Sequence, residues 1–360
     1  MKIPKKINIL IVAGGTGGHI SPGIALYEEL IQANPTFFLT LYRNKDYDEF
    51  KKKNIKPFFY DAPRISKNII DNLLFIFKMI ISIIKVLYLI QKYDIQTIIG
   101  MGGYPTVPAL ICGIILRKKI YLCEQNVIPG NVTKYFSYFA KNIFLNFPID
   151  SIKYSYLSKK SIITGNPIRK EIYQISEKIF LKKSIKTIFI TGGSQGAKQI
   201  NEMIWNLWND YPEFSQKFHW IIQTGKIHYK EFSERIKNLK FYDQIECFDF
   251  TTEIYTYFKK ADLLICRAGA GNISEGILFL LPMILIPYPY AKDNHQWKNA
   301  EYIENQKAGI MIHQKSFDSK PLYIALLEMI KNYQMYQENI KKIKYSNNPA
   351  IIIKNYVLSE

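Results

Sequence analysis

At 360 residues the chain is too long for one ordinary core, and 48% hydrophobic against 22% charged residues is the balance of a globular protein. Lys and Arg number 48 against 30 Asp and Glu, a net charge of +18 that favours anionic partners (acidic lipid, phosphorylated substrates, nucleic acid), although an A/T-rich codon bias would give the same excess. Cys112, Cys123, Cys247 and Cys266 form no C-x-x-C pair, and three of them lie in or beside apolar runs, so buried reduced thiols and a cytosolic setting are expected.

The charged start at residues 1–6 is that of a signal peptide, but the apolar run at 7–12 ends in a glycine cluster rather than a cleavage site. It reads as the first strand. Gly14-Gly15-Thr16-Gly17-Gly18-His19 follows, then a helix expected over 20–31 with Ser21 as cap and Pro22 in its first turn. A second strand is expected over 37–41. Asp46-x-Asp48 has the form of a nucleotide-metal site, yet it runs into Lys51-Lys52-Lys53 and reads as a solvated helix face.

Residues 69–90 are the most hydrophobic segment, and as a helix of about 1.5 Å per residue they would reach roughly 33 Å, enough for a bilayer core of about 30 Å. Lys78 and Lys85 inside it would each cost about 2.5–3.5 kcal/mol near a bilayer centre. With Ser82 and Lys92 they share one helical face. The segment therefore reads as a helix packed on the sheet and lying on a membrane surface, with Arg117-Lys118-Lys119 nearby; the alternative is a core helix with a solvated stripe. A strand at 97–99 enters Gly100-Met101-Gly102-Gly103-Tyr104-Pro105, and one at 120–123 leads to Glu124-Gln125-Asn126, where ligand-facing loops belong in a parallel sheet. The break at 164–167 and the weakly patterned, lysine-rich 170–186 mark a domain boundary.

The second half alternates again. Strands are expected at 188–191, 219–223, 246–248, 262–266 and 283–286, helices at 200–208 and 253–259, and helix beyond Gly309 to the end. This is parallel α/β layering. Gly192-Gly193-Ser194-Gln195-Gly196-Ala197 nearly repeats the first strand–glycine design, so two similar domains are expected. Neither cluster completes G-x-G-x-x-G, no acid ends the second strand, and neither has the Lys-Ser/Thr of a P-loop; dehydrogenase and P-loop chemistry are poorly supported.

The block from Cys266 to Gln296 is richer. Small residues at 268–271 allow close backbone approach by a ligand. Glu275 is placed in the first turn of the next helix, where it either pairs with ribose hydroxyls or completes a capping box with Asn272. His295 and Gln296 suit sugar hydroxyls, or are solvated loop residues. His19 is a base for an attacking hydroxyl, or a capping and packing residue.

Taken in order, Gly14 to His19, Gly100 to Pro105, Glu124 to Asn126, Thr164-Gly165-Asn166-Pro167-x-Arg169, Gly192 to Ala197, Arg267-Ala268-Gly269-Ala270, Ser274-Glu275 and Asp293-x-His295-Gln296-x-x-Asn299-Ala300 resemble one family over almost the whole chain. It is the undecaprenyl-diphospho-muramoylpentapeptide β-N-acetylglucosaminyltransferase family of peptidoglycan synthesis. The resemblance implies an α/β fold of the GT-B type, two Rossmann-like parallel-sheet domains facing across a cleft. It divides the chain into an acceptor and membrane-associated domain (1–165), a UDP-sugar domain (166–335) and a final helix (336–360) returning to the first. The implied reaction moves N-acetylglucosamine from UDP to the muramoyl 4-hydroxyl of lipid I, giving lipid II by inverting single displacement, with no metal and no cofactor.

By carry-over His19 is the base. Thr16, Gly17, Gly18, Asn126, Arg169, Ser194, Phe250, Thr251, Ala270, Gly271, Glu275, His295 and Gln296 bind UDP-N-acetylglucosamine, and Gly14, Gly15, Gly102, Gly103 and Tyr104 meet the acceptor diphosphate. Implied partners are undecaprenyl-linked lipid I, the anionic inner-membrane surface and other cell-wall synthesis proteins, with no nucleic acid. The implied location is peripheral, on the cytoplasmic face of the inner membrane. Competing readings are a GT-B transferase acting on another lipid, such as diacylglycerol, and a non-catalytic nucleotide-sugar scaffold.

Overall fold

The computed structural model describes residues 6–15, 17–42, 50–62, 69–177, 179–193, 195–313 and 317–359; of residues 17 and 69–74 the backbone alone is described. Thr16, Ser194, the start at 1–5 and the Asp46-x-Asp48 stretch lie outside these residues. The chain forms two compact units, Met1–Lys170 with Asn347–Glu360, and Glu171–Ser346.

Unit 1 holds a seven-stranded sheet in the order β3-β2-β1-β4-β5-β6-β7, every pair parallel. The strands are β1 (Asn8–Val12), β2 (Thr36–Leu41), β3 (Phe58–Tyr60), β4 (Ile95–Gly100), β5 (Lys119–Glu124), β6 (Asn142–Leu145) and β7 (Ser161–Ile163). The helices used below are α1 (Gly17–Leu30), α2 (Ile69–Lys92), α3 (Val107–Ile115) and α4 (Asn131–Phe136). A sheet covered on both faces needs apolar residues at successive positions. Ile9 and Ile11 accordingly face a core with Ile20 and Ile24 of α1, while Leu10 and Val12 face Val86, Leu89 and Leu110. The last helix of the chain (Pro349–Leu358) joins the first of these cores through Ala350, Ile353 and Val357, and Lys354 reaches the buried Glu29 at 3.1 Å.

Unit 2 holds six parallel strands in the order β10-β9-β8-β11-β12-β13. These are β8 (Thr187–Thr191), β9 (His219–Gln223), β10 (Ile245–Phe248), β11 (Leu263–Cys266), β12 (Met283–Leu285) and β13 (Gly309–Met311). The helices that matter here are α5 (Lys198–Asp210), α6 (Ala270–Leu278) and α7 (His295–Asn305). Gly309–Met311 is an edge strand, a correction to the expectation of helix beyond Gly309, and residues 170–176, expected as part of a weakly patterned boundary, are helical. The thiols of Cys112, Cys123 and Cys266 are buried, and burial pushes Cys112 and the half-buried Cys247 up to about 12.

Both sheets reverse strand order at one place, between β1 and β4 and between β8 and β11. Loops that leave adjacent strand ends in opposite directions open a crevice there, which is where parallel α/β sheets bind ligands. The glycine clusters at 14–18 and 100–103 flank the first switch point; those at 192–196 and 267–271 flank the second.

Candidate active site

In unit 1, α1 starts at Gly17, earlier than expected, so Ser21 is not its cap and Pro22 lies in its interior. Gly17 and Gly18 are its first two residues. His19 thus occupies the first turn, where backbone N–H groups have no intrahelical acceptor.

The loop after β4 closes on the imidazole. Gly102 and Gly103 have φ of 92° and 79°, conformations that side chains disfavour. A Cβ on Gly103 would stand 3.2 Å from the Gly14 carbonyl oxygen and 3.3 Å from His19 Cδ2; one on Gly102 would stand 3.2 Å from His19 Cε1. Glycine is required so that the ring can lie against this backbone. From the end of β5, the buried Gln125 brings Oε1 to 2.9 Å from His19 Nδ1. Three motifs spread over 106 positions therefore meet at one imidazole.

Glu124 does not face a ligand. It is buried, and its carboxylate accepts from the Asn126 N–H (3.1 Å), the Gly130 N–H (2.9 Å) and the Thr133 hydroxyl. It holds the 125–133 turn, and with it the half-buried Asn126, in place. Tyr104 follows Gly103 and packs against the core that holds Leu10, Val86 and Leu110, with its Cε1 3.9 Å from where a Cβ on Gly15 (φ 92°) would stand. Arg169 also belongs to unit 1, beside its boundary at Lys170.

In unit 2 the loop after β8 rests on the loop after β9. A Cβ on Gly196 (φ 73°) would lie 2.1 Å from the Thr224 carbonyl oxygen, so the two backbones touch. Below them Thr191 Oγ1 accepts from the Gly193 N–H at 3.0 Å and donates to Gln223 Oε1 at 2.7 Å. Thr224 and Gly225 were absent from the predicted site; the available signal was a Thr-Gly pair directly after a strand. The next strand joins the same cluster, because the Gly225 N–H donates to the Asp249 carbonyl at 3.0 Å. Phe250 follows, exposed, with Lys226 Nζ 5.6 Å from its ring centroid, and Thr251 Oγ1 accepts from the Glu253 N–H at 3.0 Å.

α6 begins at Ala270 with Gly269 before it, and a Cβ on Gly193, Gly269 or Gly271 would meet nothing within 4 Å. The loops are thus open above the switch point, as a bound phosphate would need. Asn272 is the third helical residue and donates Nδ2–H to the Arg267 carbonyl at 3.4 Å; it is not an N-cap, which overturns the capping-box alternative. Glu275 is the sixth residue, beyond the first turn where it was expected. Its carboxylate is close enough to Cys266 to reinforce the effect of burial, which raises that thiol.

Arg267 ties this cluster together. It is buried and donates to the carbonyls of Ile286 (3.1 Å) and Pro287 (3.3 Å) and to Gln199 Oε1 (3.2 Å), with Tyr288 5.5 Å from its Cζ. Burial lowers its guanidinium to about 10. Asn299 of α7 donates to the Ala268 carbonyl at 3.1 Å. The start of α7 is thereby set beside α6: His295 Nδ1 meets the Lys292 carbonyl at 2.7 Å, and Gln296 Oε1 accepts from the Tyr288 N–H at 2.9 Å. Among the described residues no group of three His, Cys, Asp or Glu side chains comes together as metal ligands would.

The predicted site residues thus fall into two constellations. Gly14, Gly15, Gly17, Gly18, His19, Gly102, Gly103, Tyr104, Asn126 and Arg169 lie in unit 1; Phe250, Thr251, Ala270, Gly271, Glu275, His295 and Gln296 lie in unit 2.

Comparison with known proteins bears on both halves. Residues 9–145 match the glycosyltransferase family 28 N-terminal domain, and residues 187–354 match the family 28 C-terminal domain. A protein from Leptospira interrogans, named UDP-N-acetylglucosamine--N-acetylmuramyl-(pentapeptide) pyrophosphoryl-undecaprenol N-acetylglucosamine transferase, is 38% identical over 92% of each chain. Proteins of the same name from Prochlorococcus marinus (34%, 98% of each chain) and Aquifex aeolicus (31%, 93% of this chain and 95% of that one) also match. The chain belongs to this transferase family.

Among solved structures, Acinetobacter baumannii MurG aligns with a TM-score of 0.74 at 20% identity, covering 98% of this chain and all of that one. UDP-GlcNAc 2-epimerase from Neisseria meningitidis aligns at 0.64 and 14%, covering 98% of this chain and all of the other. These likenesses concern the fold, which is of the GT-B type. The family's N-terminal match falls wholly inside unit 1, and its C-terminal match spans most of unit 2 and runs into the returning last helix.

Proposed function

We propose that this chain transfers N-acetylglucosamine from UDP-N-acetylglucosamine to the 4-hydroxyl of the muramoyl sugar of undecaprenyl-linked lipid I, giving lipid II. The observation that carries the reading is the convergence of the Gly14–His19, Gly102–Gly103 and Gln125 motifs on one imidazole at a switch point. Displacement at the anomeric carbon needs a base for the incoming hydroxyl and stabilisation of the departing diphosphate. His19 is the base. The N-terminus of α6, Arg169 and Ser194 stabilise the diphosphate, Glu275 holds the ribose, Phe250 and Thr251 edge the uracil, and Ala270, Gly271, His295, Gln296 and Asn126 meet the sugar. Gly17, Gly18 and Thr16 also contact the donor, while Gly14, Gly15, Gly102, Gly103 and Tyr104 cradle the acceptor diphosphate. Purified protein given UDP-N-acetylglucosamine should glycosylate lipid I and leave diacylglycerol untouched; product from diacylglycerol alone, or UDP binding with no product from either, would refute the assignment.

The acceptor's lipid places the protein at a membrane, and α2 supplies the contact. Ser82 is not part of a solvated stripe: it is buried, bonded to the carbonyls of Asp61 and Lys78. Opposite it the helix exposes Ile76, Phe77 (63%), Ile80, Ile84 (60%) and Tyr88, with Lys78, Lys85 and Lys92 along one edge. No helix among the described residues is long and apolar enough to cross a membrane. We assign this face to the anionic cytoplasmic surface of the inner membrane, apolar side chains in the interface and lysines at the headgroups. Burying one such side chain is worth about 1.5–3 kcal/mol. Replacing Phe77, Ile80 and Ile84 together by Glu should cut co-sedimentation with phosphatidylglycerol vesicles at least about tenfold. Turnover of a short-chain, water-soluble acceptor should persist. Undiminished vesicle binding would place the contact elsewhere.

A further inference from the structure

We infer that Gln125 sets the tautomer of His19 and so makes Nε2 the atom that takes the acceptor's proton; this rests on His19 being the base. An amide oxygen only accepts, so the imidazole nitrogen 2.9 Å from Gln125 Oε1 carries its hydrogen on Nδ1, and the ring's lone pair is on Nε2.

The amide is itself oriented. Gln125 Nε2 faces the Cys123 carbonyl at 3.5 Å, and a flipped amide would put two oxygens against each other. The backbone is pinned as well: buried Asn146 donates Nδ2–H to the Gln125 carbonyl at 3.0 Å, and its own N–H donates to the Glu124 carbonyl at 2.9 Å. With Gln125 only 3% exposed, solvent competes poorly for its oxygen. On the ring's other side Gly102 and Gly103 limit its rotation.

The partner's neutrality has a chemical consequence. A carboxylate at Nδ1 would favour the imidazolium and raise its pKa, whereas an amide fixes the tautomer without adding charge. Of the titratable side chains next to Gly103 and Gln125, Glu124 is spent on the Asn126–Thr133 turn, and Tyr104 packs against the core that holds Leu10, Val86 and Leu110. Gln125 therefore does for this histidine what a buried carboxylate does in a Ser-His-Asp triad, with a different pH response.

The test uses Gln125→Met, which removes the acceptor at similar volume, and Gln125→Glu, which restores it with a charge. In Gln125→Met, kcat should fall about 10- to 100-fold, as for other partners that orient functional histidines. The KM for UDP-N-acetylglucosamine should stay within about twofold. The imidazole ¹⁵N signals of His19, assigned by their loss in His19→Gln, should change from a pure Nδ1–H pattern to a mixture. Gln125→Glu should recover turnover at high pH, with the acid limb of kcat/KM moved upward, because a raised pKa keeps the base protonated further up the scale. Wild-type kcat and an unchanged ¹⁵N pattern in Gln125→Met would overturn the inference. So would an unshifted acid limb in Gln125→Glu, which stands as the deciding result if the Met variant unfolds. If His19→Ala retains wild-type turnover, the base assignment falls first; if His19→Ala is inactive and Gln125→Met is not, only the role of Gln125 fails.

Discussion

Replacing His19 by alanine should lower kcat by about two to four orders of magnitude, the usual worth of a positioned general base. That corresponds to about 2.7–5.4 kcal/mol of transition-state stabilisation. The loss should appear in kcat and not in UDP affinity. His19 sits in unit 1 against Gly102, Gly103 and Gln125, whereas the nucleotide-binding residues proposed here, Glu275, Phe250 and Thr251, belong to unit 2. Steady-state kinetics with lipid I, paired with calorimetric titration of UDP, separates these quantities. Folding should be little affected, because the ring is only part-buried and lies in a loop-lined crevice rather than in either core of unit 1. The midpoint of thermal unfolding checks this. His19→Gln offers a hydrogen-bonding side chain without a basic nitrogen, and should be as slow as the alanine variant. If either retains near-normal kcat, the proton goes elsewhere and His19 is a packing residue of the glycine loops.

Much of this arrangement is legible in the sequence because it is local. β1 and β8 announce themselves as apolar runs ending in glycine, and the small residues at 268–271 mark a close-approach loop without tertiary information. What escapes is of four physical kinds. Short strands carry too few residues for a period: Phe58–Tyr60, Ser161–Ile163 and Gly309–Met311 have three each. Polar residues are read as outward-facing, yet Ser82 and Glu124 are buried because backbone groups satisfy them. Asn272 resembles a cap by spacing, but the helix starts at Ala270, where Gly269 already supplies an extended residue before it. Last, pairings across the fold have no sequence signature. The His19–Gln125 bond spans 106 positions, and Gly196 meets Thr224 only after β8 and β9 are neighbours.

The second large effect concerns the donor. Glu275→Ala should raise the KM for UDP-N-acetylglucosamine about 10- to 100-fold, with a smaller change in kcat. A carboxylate that accepts from two ribose hydroxyls makes charge-assisted bonds worth about 1.5–3 kcal/mol each, and the two are not additive when lost together. Ribose binding is present in both ground and transition states, so its loss falls mainly on KM. The position favours this reading. Glu275 is the sixth residue of α6, past the first turn where a helix dipole or cap would explain it, and Asn272 bonds the Arg267 carbonyl instead. Its charge adds to the raising of the Cys266 thiol, and Cys266 ends β11 opposite Thr191, at the switch point where the Gly192–Gly196 loop begins. A nucleotide analogue separates ribose contact from general destabilisation. UDP should bind the native protein far better than 2′,3′-dideoxy-UDP, and this difference should vanish in Glu275→Ala. If the alanine variant instead unfolds at lower temperature while keeping the native preference for the 2′,3′-diol, Glu275 serves the helix and another group holds the ribose.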